Sequence, residues 1–201
     1  MSDRHYTEEE LLQPEVMIRL YARGAFPMAD AETKTIDWYL PEIRCIIPLD
    51  KYNVPRSLKK FYNNAPFEYR IDHDFPAIVQ RCSDREPTWI SPRLISAYLD
   101  LWNYGFIHTV EVYRDGVIAG GLYGVAVGGA FFGESMFSVE SQASKCALLK
   151  LLDILSKNNF TLLDVQYITE HLSMFGAQEI SLKKYSALLR KAYKINPTFT
   201  E

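Results

Sequence analysis

Apolar positions recur at helical spacing between Glu8 and Arg23, where Leu11, Leu12, Val16, Met17, Leu20 and Tyr21 would share one side of a helix. Thr7 precedes this run and Glu10 follows three residues later, the spacing of a capping box. Gly24 closes it, and Gly24-Ala25-Phe26-Pro27 reads as a loop carrying an aromatic ring. Trp38-Tyr39-Leu40-Pro41 and the stretch from Arg44 to Pro48 are short extended pieces. A Pro55-Arg56-Ser57 start leads into a short basic helix, and Phe67 to Asp72 alternates as a strand does. Helices are predicted over 75–82 and 92–104, the second opened by Ser91-Pro92 and closed by Gly105.

The most regular pattern comes next. Residues 108–114 alternate, Asp115-Gly116 signals a hairpin, and 117–127 form the following strand. Gly128-Gly129 is a second tight turn before a third strand over 130–137. Ser141 is expected to cap a helix running to about Asn158, with Ala143, Ala147, Leu148, Leu151, Leu152, Ile154 and Leu155 on its apolar side. Phe160 to Tyr167 reads as a buried strand after it. An antiparallel meander, a helix and a further strand beside the meander make an α+β fold rather than a doubly wound parallel sheet. The order matches an acyl-CoA N-acyltransferase (GNAT)-like mixed sheet flanked by helices, expected over 67–201. A small N-terminal α/β portion of helix, loop and short strands is expected over 1–66.

Composition narrows the class. Of 201 residues, 48% are hydrophobic and 13% aromatic, enough for one sizeable core. No apolar run approaches the ~20 residues of a membrane helix, so no membrane partner is expected. The start, Met1 to Glu10, is polar and acidic rather than a signal peptide. Cys45, Cys82 and Cys146 are odd in number and dispersed, as reduced thiols in a cytoplasm would be. Neither they nor the four His show ligand spacing, so no structural metal is expected. The net charge of −3 argues against a nucleic-acid partner until it is divided. Residues 1–50 carry 5 basic and 10 acidic side chains, whereas the remainder is net +2. Its cations gather at Arg56, Lys59 and Lys60, and at Lys183, Lys184, Arg190, Lys191 and Lys194.

An acyl-CoA enzyme of this shape needs a glycine-rich turn after the third meander strand, where backbone N–H groups hold the pyrophosphate. Ser138 to Lys145 contains no glycine. A different activated acyl donor is therefore expected.

Several short motifs then occur in a fixed order. They are Thr88-Trp89-Ile90-Ser91, Gly120-Gly121-Leu122-Tyr123-Gly124-Val125-Ala126, Phe132-Gly133-Glu134-Ser135-Met136-Phe137-Ser138, Ala143-Ser144-Lys145, Asp164-Val165-Gln166, and His171-Leu172 with Gly176-Ala177-Gln178-Glu179-Ile180. Together with Gly24-Ala25-Phe26-Pro27 and Trp38-Tyr39-Leu40-Pro41, they closely resemble the leucyl/phenylalanyl-tRNA–protein transferase family over roughly residues 16–185. The resemblance implies a cytoplasmic aminoacyltransferase needing no cofactor. It would move Leu or Phe, and less readily Met, from aminoacyl-tRNA to the α-amino group of a protein N-terminus. The usual acceptor begins with Arg or Lys, and the product is marked for degradation. The implied fold is the GNAT type.

Asp164 and Gln166 lie two apart on a strand, so their side chains would share a face, and the resemblance implies that this pair is catalytic. The Gln carbonyl could accept from the attacking amine while Asp164 orients it; a proton shuttle through the terminal hydroxyl of the tRNA is the competing route. Glu134 sits among Phe132, Met136 and Phe137, where a carboxylate requires a partner. That partner would be the donor's ammonium, or else Lys145 or a neighbouring Arg. The resemblance places Leu122, Phe131, Leu151 and Leu163 around an apolar pocket for the donor side chain. It also places Trp89 against the terminal adenosine, and Arg56, Lys59 and Lys60 against the tRNA acceptor stem. Asp164, Glu170 and Glu179 are the candidates for reading an acceptor Arg or Lys.

The chain departs from the family pattern at Met28, where many members have Trp, and at Asn63 and Asn64, where a basic run often continues. Two other readings stay open. One is an N-acyltransferase using acyl-CoA or another aminoacyl donor. The other is a non-catalytic tRNA-binding module.

Overall fold

A computed structural model describes residues 6–200; residues 1–5, which include His5 and the start of the polar amino-terminal segment, and residue 201 lie outside the described residues. The single helix expected from Glu8 is two, α1 (Glu8–Leu11) and α2 (Pro14–Tyr21). Pro14 has no N–H to donate and its ring crowds the preceding turn, so it can begin a helix but not continue one. The capping box forms as the spacing predicts: Thr7 Oγ1 accepts from Glu10 N at 3.2 Å, and Thr7 N donates to Glu10 Oε2 at 2.9 Å. The expected loop at 24–27 is partly strand. β1 (Phe26–Ala29) pairs antiparallel with β2 (Ile36–Tyr39) in a separate ribbon.

The other elements follow as β3 (Ile43–Ile47), α3 (Arg56–Asn64), β4 (Glu68–Ile71), α4 (Phe75–Ser83), α5 (Pro92–Asn103), β5 (Ile107–Arg114), β6 (Val117–Val127), β7 (Ala130–Ser138) and α6 (Ala143–Lys157). The chain ends with β8 (Leu162–Gln166), α7 (Glu170–Ser173), β9 (Gln178–Ser181) and α8 (Leu182–Ala192). Seven strands form one mixed sheet in the order β4-β5-β6-β7-β8-β3-β9. Only the β7–β8 contact is parallel, joined across α6; the rest are antiparallel. β3, from the portion expected over 1–66, is thus inserted between two strands of the 67–201 portion.

Strand alternation assigns the core to two faces. Leu122, Phe131 and Leu163 belong to the cluster under α6, while their chain neighbours Tyr123, Phe132 and Leu162 belong to the cluster with α2, α4, α5 and α8. Contact between α6 and the sheet is close. A Cβ at Gly120 would stand 2.7 Å from that of Ala143, so a side chain there is excluded. The α6 start differs from expectation, because Gln142, in the left-handed region, precedes it without a side-chain cap. Ser138 Oγ instead accepts from Ser144 N at 3.1 Å.

One irregularity positions everything that follows. β7 and β8 pair only at Ala130–Leu162, Phe131–Leu163 and Phe132–Asp164. From Gly133 and Val165 onward they run without pairing, and the sheet is forked.

Candidate active site

A cavity of about 400 Å³ lies at this fork. Leu122, Met136, Leu148, Leu151, Leu163 and Val165 make its apolar wall, and Glu134, Gln166, Thr169, His171 and Arg85 its polar end. Burial and the nearby Lys145 lower the His171 pKa, which favours the neutral ring.

Glu134 is placed by a bulge. Tyr123 faces Ser135 and Gly124 faces Gly133, so Glu134 is the extra residue on β7 and its side chain is re-aimed. Its Oε1 accepts from Tyr21 Oη at 2.9 Å, and Oε2 accepts from Tyr98 Oη at 2.9 Å and Gln166 Nε2 at 3.4 Å. The two phenols are 3.2 Å apart. Burial pushes the Glu134 carboxyl up to about 7, against the pull of the Tyr98 and Tyr21 hydroxyls. Burial, then the Glu134 charge, raises the pKa of both phenols, which remain donors. No lysine or arginine pairs with Glu134 among the described residues, so the expected bridge to Lys145 or an Arg is not formed. Two phenols and an amide hold the carboxylate where a salt bridge was one expectation.

Asp164 is fully buried and its carboxylate does not face the cavity. Oδ2 contacts the Arg44 guanidinium and accepts from Tyr185 Oη at 2.6 Å; Oδ1 accepts from the backbone N–H of Gln166 at 2.8 Å. Arg44 lies between the rings of Phe26 and Tyr185, 4.6 and 4.8 Å from their centroids. Burial is the largest effect and opposes the Arg44 charge, but Asp164 and Tyr185 together outweigh it and raise the pKa. Gln166 has φ 62°, a left-handed conformation costing a non-glycine residue roughly 1–2 kcal/mol. The Asp164 bond to its amide helps hold that conformation. Asp164 therefore orients Gln166 through the main chain: the Gln166 side chain reaches Glu134, while the Asp164 carboxylate meets Arg44 and Tyr185.

The fork brings together Glu134, Gln166, Leu122, Leu151 and Leu163. Phe131 is fully buried behind the wall, stacked on Phe199 at 5.4 Å, and does not line the cavity. A ring at that position fills core between the sheet and the segment carrying Phe199. Trp89 is half-buried against the core and is not part of the lining. Arg56, Lys59 and Lys60 are exposed on α3. Of the acceptor-reading candidates, Asp164 has both oxygens engaged, and Glu170 and Glu179 are exposed.

Arg44, Tyr21, Tyr98 and Tyr185 were not singled out by sequence reasoning. Arg44 had a signal, a cation inside the apolar run Ile43-Arg44-Cys45-Ile46-Ile47. The tyrosines read as ordinary core positions. Among the described residues no group of three or more His, Cys, Asp or Glu side chains could hold a metal ion, and no helix is long and apolar enough to cross a membrane.

The comparisons converge. The model for the leucyl/phenylalanyl-tRNA protein transferase family matches residues 46–190, and that for its N-terminal domain matches 10–42. A leucyl/phenylalanyl-tRNA–protein transferase from Salinibacter ruber is 42% identical over 186 residues, 92% of this chain and 82% of the relative. Solved structures resemble it only distantly. A DUF2156 C-terminal domain from Agrobacterium fabrum has 12% identity and a TM-score of 0.44 over 90% of this chain and 57% of its own. A functionally unknown conserved protein from Staphylococcus epidermidis has 7% identity and a TM-score of 0.44 over 89% and 66%. This chain thus spans between about half and two thirds of those two solved chains. With both family models matched in order and a relative 42% identical over 92% of this chain, the chain belongs to the leucyl/phenylalanyl-tRNA–protein transferase family.

Proposed function

We propose that the protein is an aminoacyltransferase that moves Leu or Phe, and less readily Met, from aminoacyl-tRNA to the α-amino group of a protein N-terminus beginning with Arg or Lys, creating a degradation signal in the cytoplasm. The carrying observation is the facing of Glu134 and Gln166 across the fork, 3.4 Å apart, at the polar end of an apolar cavity. The fold supporting this reading is a GNAT-like sheet carried mainly by 67–201, with 1–66 as a smaller N-terminal portion that lends it β3.

The donor ester is already activated, so amide formation needs neither ATP nor a metal. The N–C bond forms, the C–O bond to the tRNA ribose breaks, and the amine proton ends on the ribose oxygen. Glu134, as carboxylate, holds the donor ammonium. The Gln166 carbonyl accepts from the attacking amine, whose reference pKa of roughly 7.7–8.0 leaves a good share neutral. Asp164 holds Gln166 in place, and Arg44 and Tyr185 hold Asp164. Leu122, Leu151 and Leu163 surround the donor side chain, with Phe131 supporting them from behind. Positioning of this kind can supply several kcal/mol of the barrier, up to roughly 7–11. Trp89 meets the terminal adenosine, and Arg56, Lys59 and Lys60 meet the acceptor stem. Against an acyl-CoA donor stands the start of α6, where the amides of Ala143 and Ser144 are already bonded to Glu140 O and Ser138 Oγ.

The test is incubation with radiolabelled Leu-tRNA or Phe-tRNA and peptides beginning Arg, Lys, Asp or Ala, without ATP. Transfer to the Arg and Lys peptides is expected. No transfer to any peptide overturns the proposal, and transfer to the Asp peptide alone overturns the acceptor assignment.

A further inference from the structure

β7 carries a glycine that packing does not require. At Gly124 a Cβ would collide with the Phe132 carbonyl and the Phe131 ring, and at Gly120 with Ala143, so those positions must be glycine. At Gly133 a Cβ would meet only Asp164 O at 3.5 Å and Val165 Cγ1 at 3.9 Å, both ordinary contact distances. Its φ lies outside the left-handed region, so the backbone does not demand glycine either. Glycine inside a strand costs stability and marks either a bulge or a place where something else approaches closely; the extra residue of the β7 bulge is Glu134, which leaves the second reading for Gly133.

Position and direction say what that is. Gly133 is the first β7 residue beyond the last β7–β8 pair, at the apex of the fork, and it lines the cavity. Strand alternation puts Phe132 on the α2, α5 and α8 side and Phe131 on the α6 side. A side chain at 133 would therefore stand on the α6 side, among Leu122, Leu151 and Leu163. Glu134 follows directly and turns to the opposite face toward Tyr21 and Tyr98. Two successive residues thus address the two ends of one ligand: a carboxylate for a cation, and a vacated methyl's worth of space for an apolar group beside it.

We propose that Gly133 is a specificity-determining residue of the cavity, its missing Cβ leaving the room that the base of a bulky donor side chain occupies. This rests on the reading of the cavity as the aminoacyl donor site. One methylene-sized change in an apolar pocket is worth roughly 10- to 200-fold in discrimination, so the absent methyl is large enough to set donor range.

The experiment compares kcat/KM for Phe-, Leu- and Met-tRNA with an Arg-initiated peptide in the wild type, Gly133→Ala, Val165→Ala and the double variant, alongside thermal unfolding. Gly133→Ala is expected to unfold at the same or a higher temperature. It should lose roughly 10- to 200-fold with Phe-tRNA and least with Met-tRNA, whose unbranched chain adapts best. Val165→Ala in the Gly133→Ala background should restore Phe transfer, since Val165 bounds the same space. Unchanged kinetics, or an equal loss with all three donors, overturns the assignment of Gly133. A clearly lowered unfolding temperature does so as well, because packing would then require the glycine. Wild-type protein that transfers none of the three refutes the underlying reading instead, a result read before any variant.

Discussion

Tyr185 Oη donates to Oδ2 of Asp164 at 2.6 Å, the same oxygen that meets the Arg44 guanidinium. The inner side of α8 thereby supports the strand end that carries Gln166. Removing one partner of a buried ion pair leaves the other charge uncompensated, at a cost of roughly 3–5 kcal/mol. Arg44→Leu and Asp164→Asn are each expected to lower the unfolding free energy by an amount in that range, read as an earlier urea midpoint at unchanged m. Tyr185→Phe removes one hydrogen bond to a charged group and is expected to cost roughly 1.5–3 kcal/mol. Denaturation curves for the three variants check the order.

Asp164→Ala is expected to reduce turnover far more than tRNA affinity, after correction for the folded fraction. Filter binding and single-turnover transfer on the same preparation check this. Equal loss in both would reduce Asp164 to a folding residue.

Glu134 makes stability pH-dependent in a definite direction. Its folded pKa is raised from 4.5 to about 7, so the folded protein binds a proton more tightly than the unfolded chain. Its contribution is fully present below pH 4.5 and is lost as pH rises through 7, with a slope of at most about 1.4 kcal/mol per pH unit. Glu134→Gln cannot titrate. The stability difference between wild type and this variant should therefore fall across that window and be flat outside it, as isothermal denaturation at stepped pH would show. Affinity for a donor analogue with a free ammonium should move the opposite way, rising with pH through 7, because the carboxylate is the binding form.

Phe131 and Leu163 are paired across β7 and β8 but have separate roles. Leu163→Ala should cost roughly 2–5 kcal/mol and relax the preference among Leu, Phe and Met donors. Phe131→Leu should cost less than the ~3–5 kcal/mol of a Phe→Ala truncation and leave that preference unchanged. Competition between differently labelled aminoacyl-tRNAs, with unfolding measured in parallel, separates the two effects.

The cations of α3 should act through phosphates. Replacing Lys59 and Lys60 together by Gln should weaken tRNA binding at low salt and reduce the steepness of log K against log salt by roughly 1.4–1.8. Transfer from a short aminoacyl-adenosine donor should be unaffected. A titration at several salt concentrations distinguishes this from a folding defect, which would affect both donors.

Regular local structure was legible because its causes are local. The alternation at 108–114, the Asp115-Gly116 turn and the 3.6-residue period of α6 each lie within a dozen or so neighbouring residues, and the structure places elements there. The failures were also local in cause. Pro14 divides the first helix although the apolar period continues through it, and the short strand β9 was too brief for a period to register.

The site divides the same way. By itself the sequence determined the meander, the crossover through α6, and a set of ordered motifs specific enough to indicate the family and to bring forward Glu134, Asp164 and Gln166. Only the tertiary structure decided what those groups face. Arg44 reaches Asp164 from 120 residues away, and Tyr21 reaches Glu134 from 113. The fork that aims Gln166 at Glu134 arises where two strands stop pairing. Contacts between distant residues leave no period in the chain. A tyrosine at a core position of α2 reads the same whether it fills space or holds a buried carboxylate, until the fold brings that carboxylate within 2.9 Å.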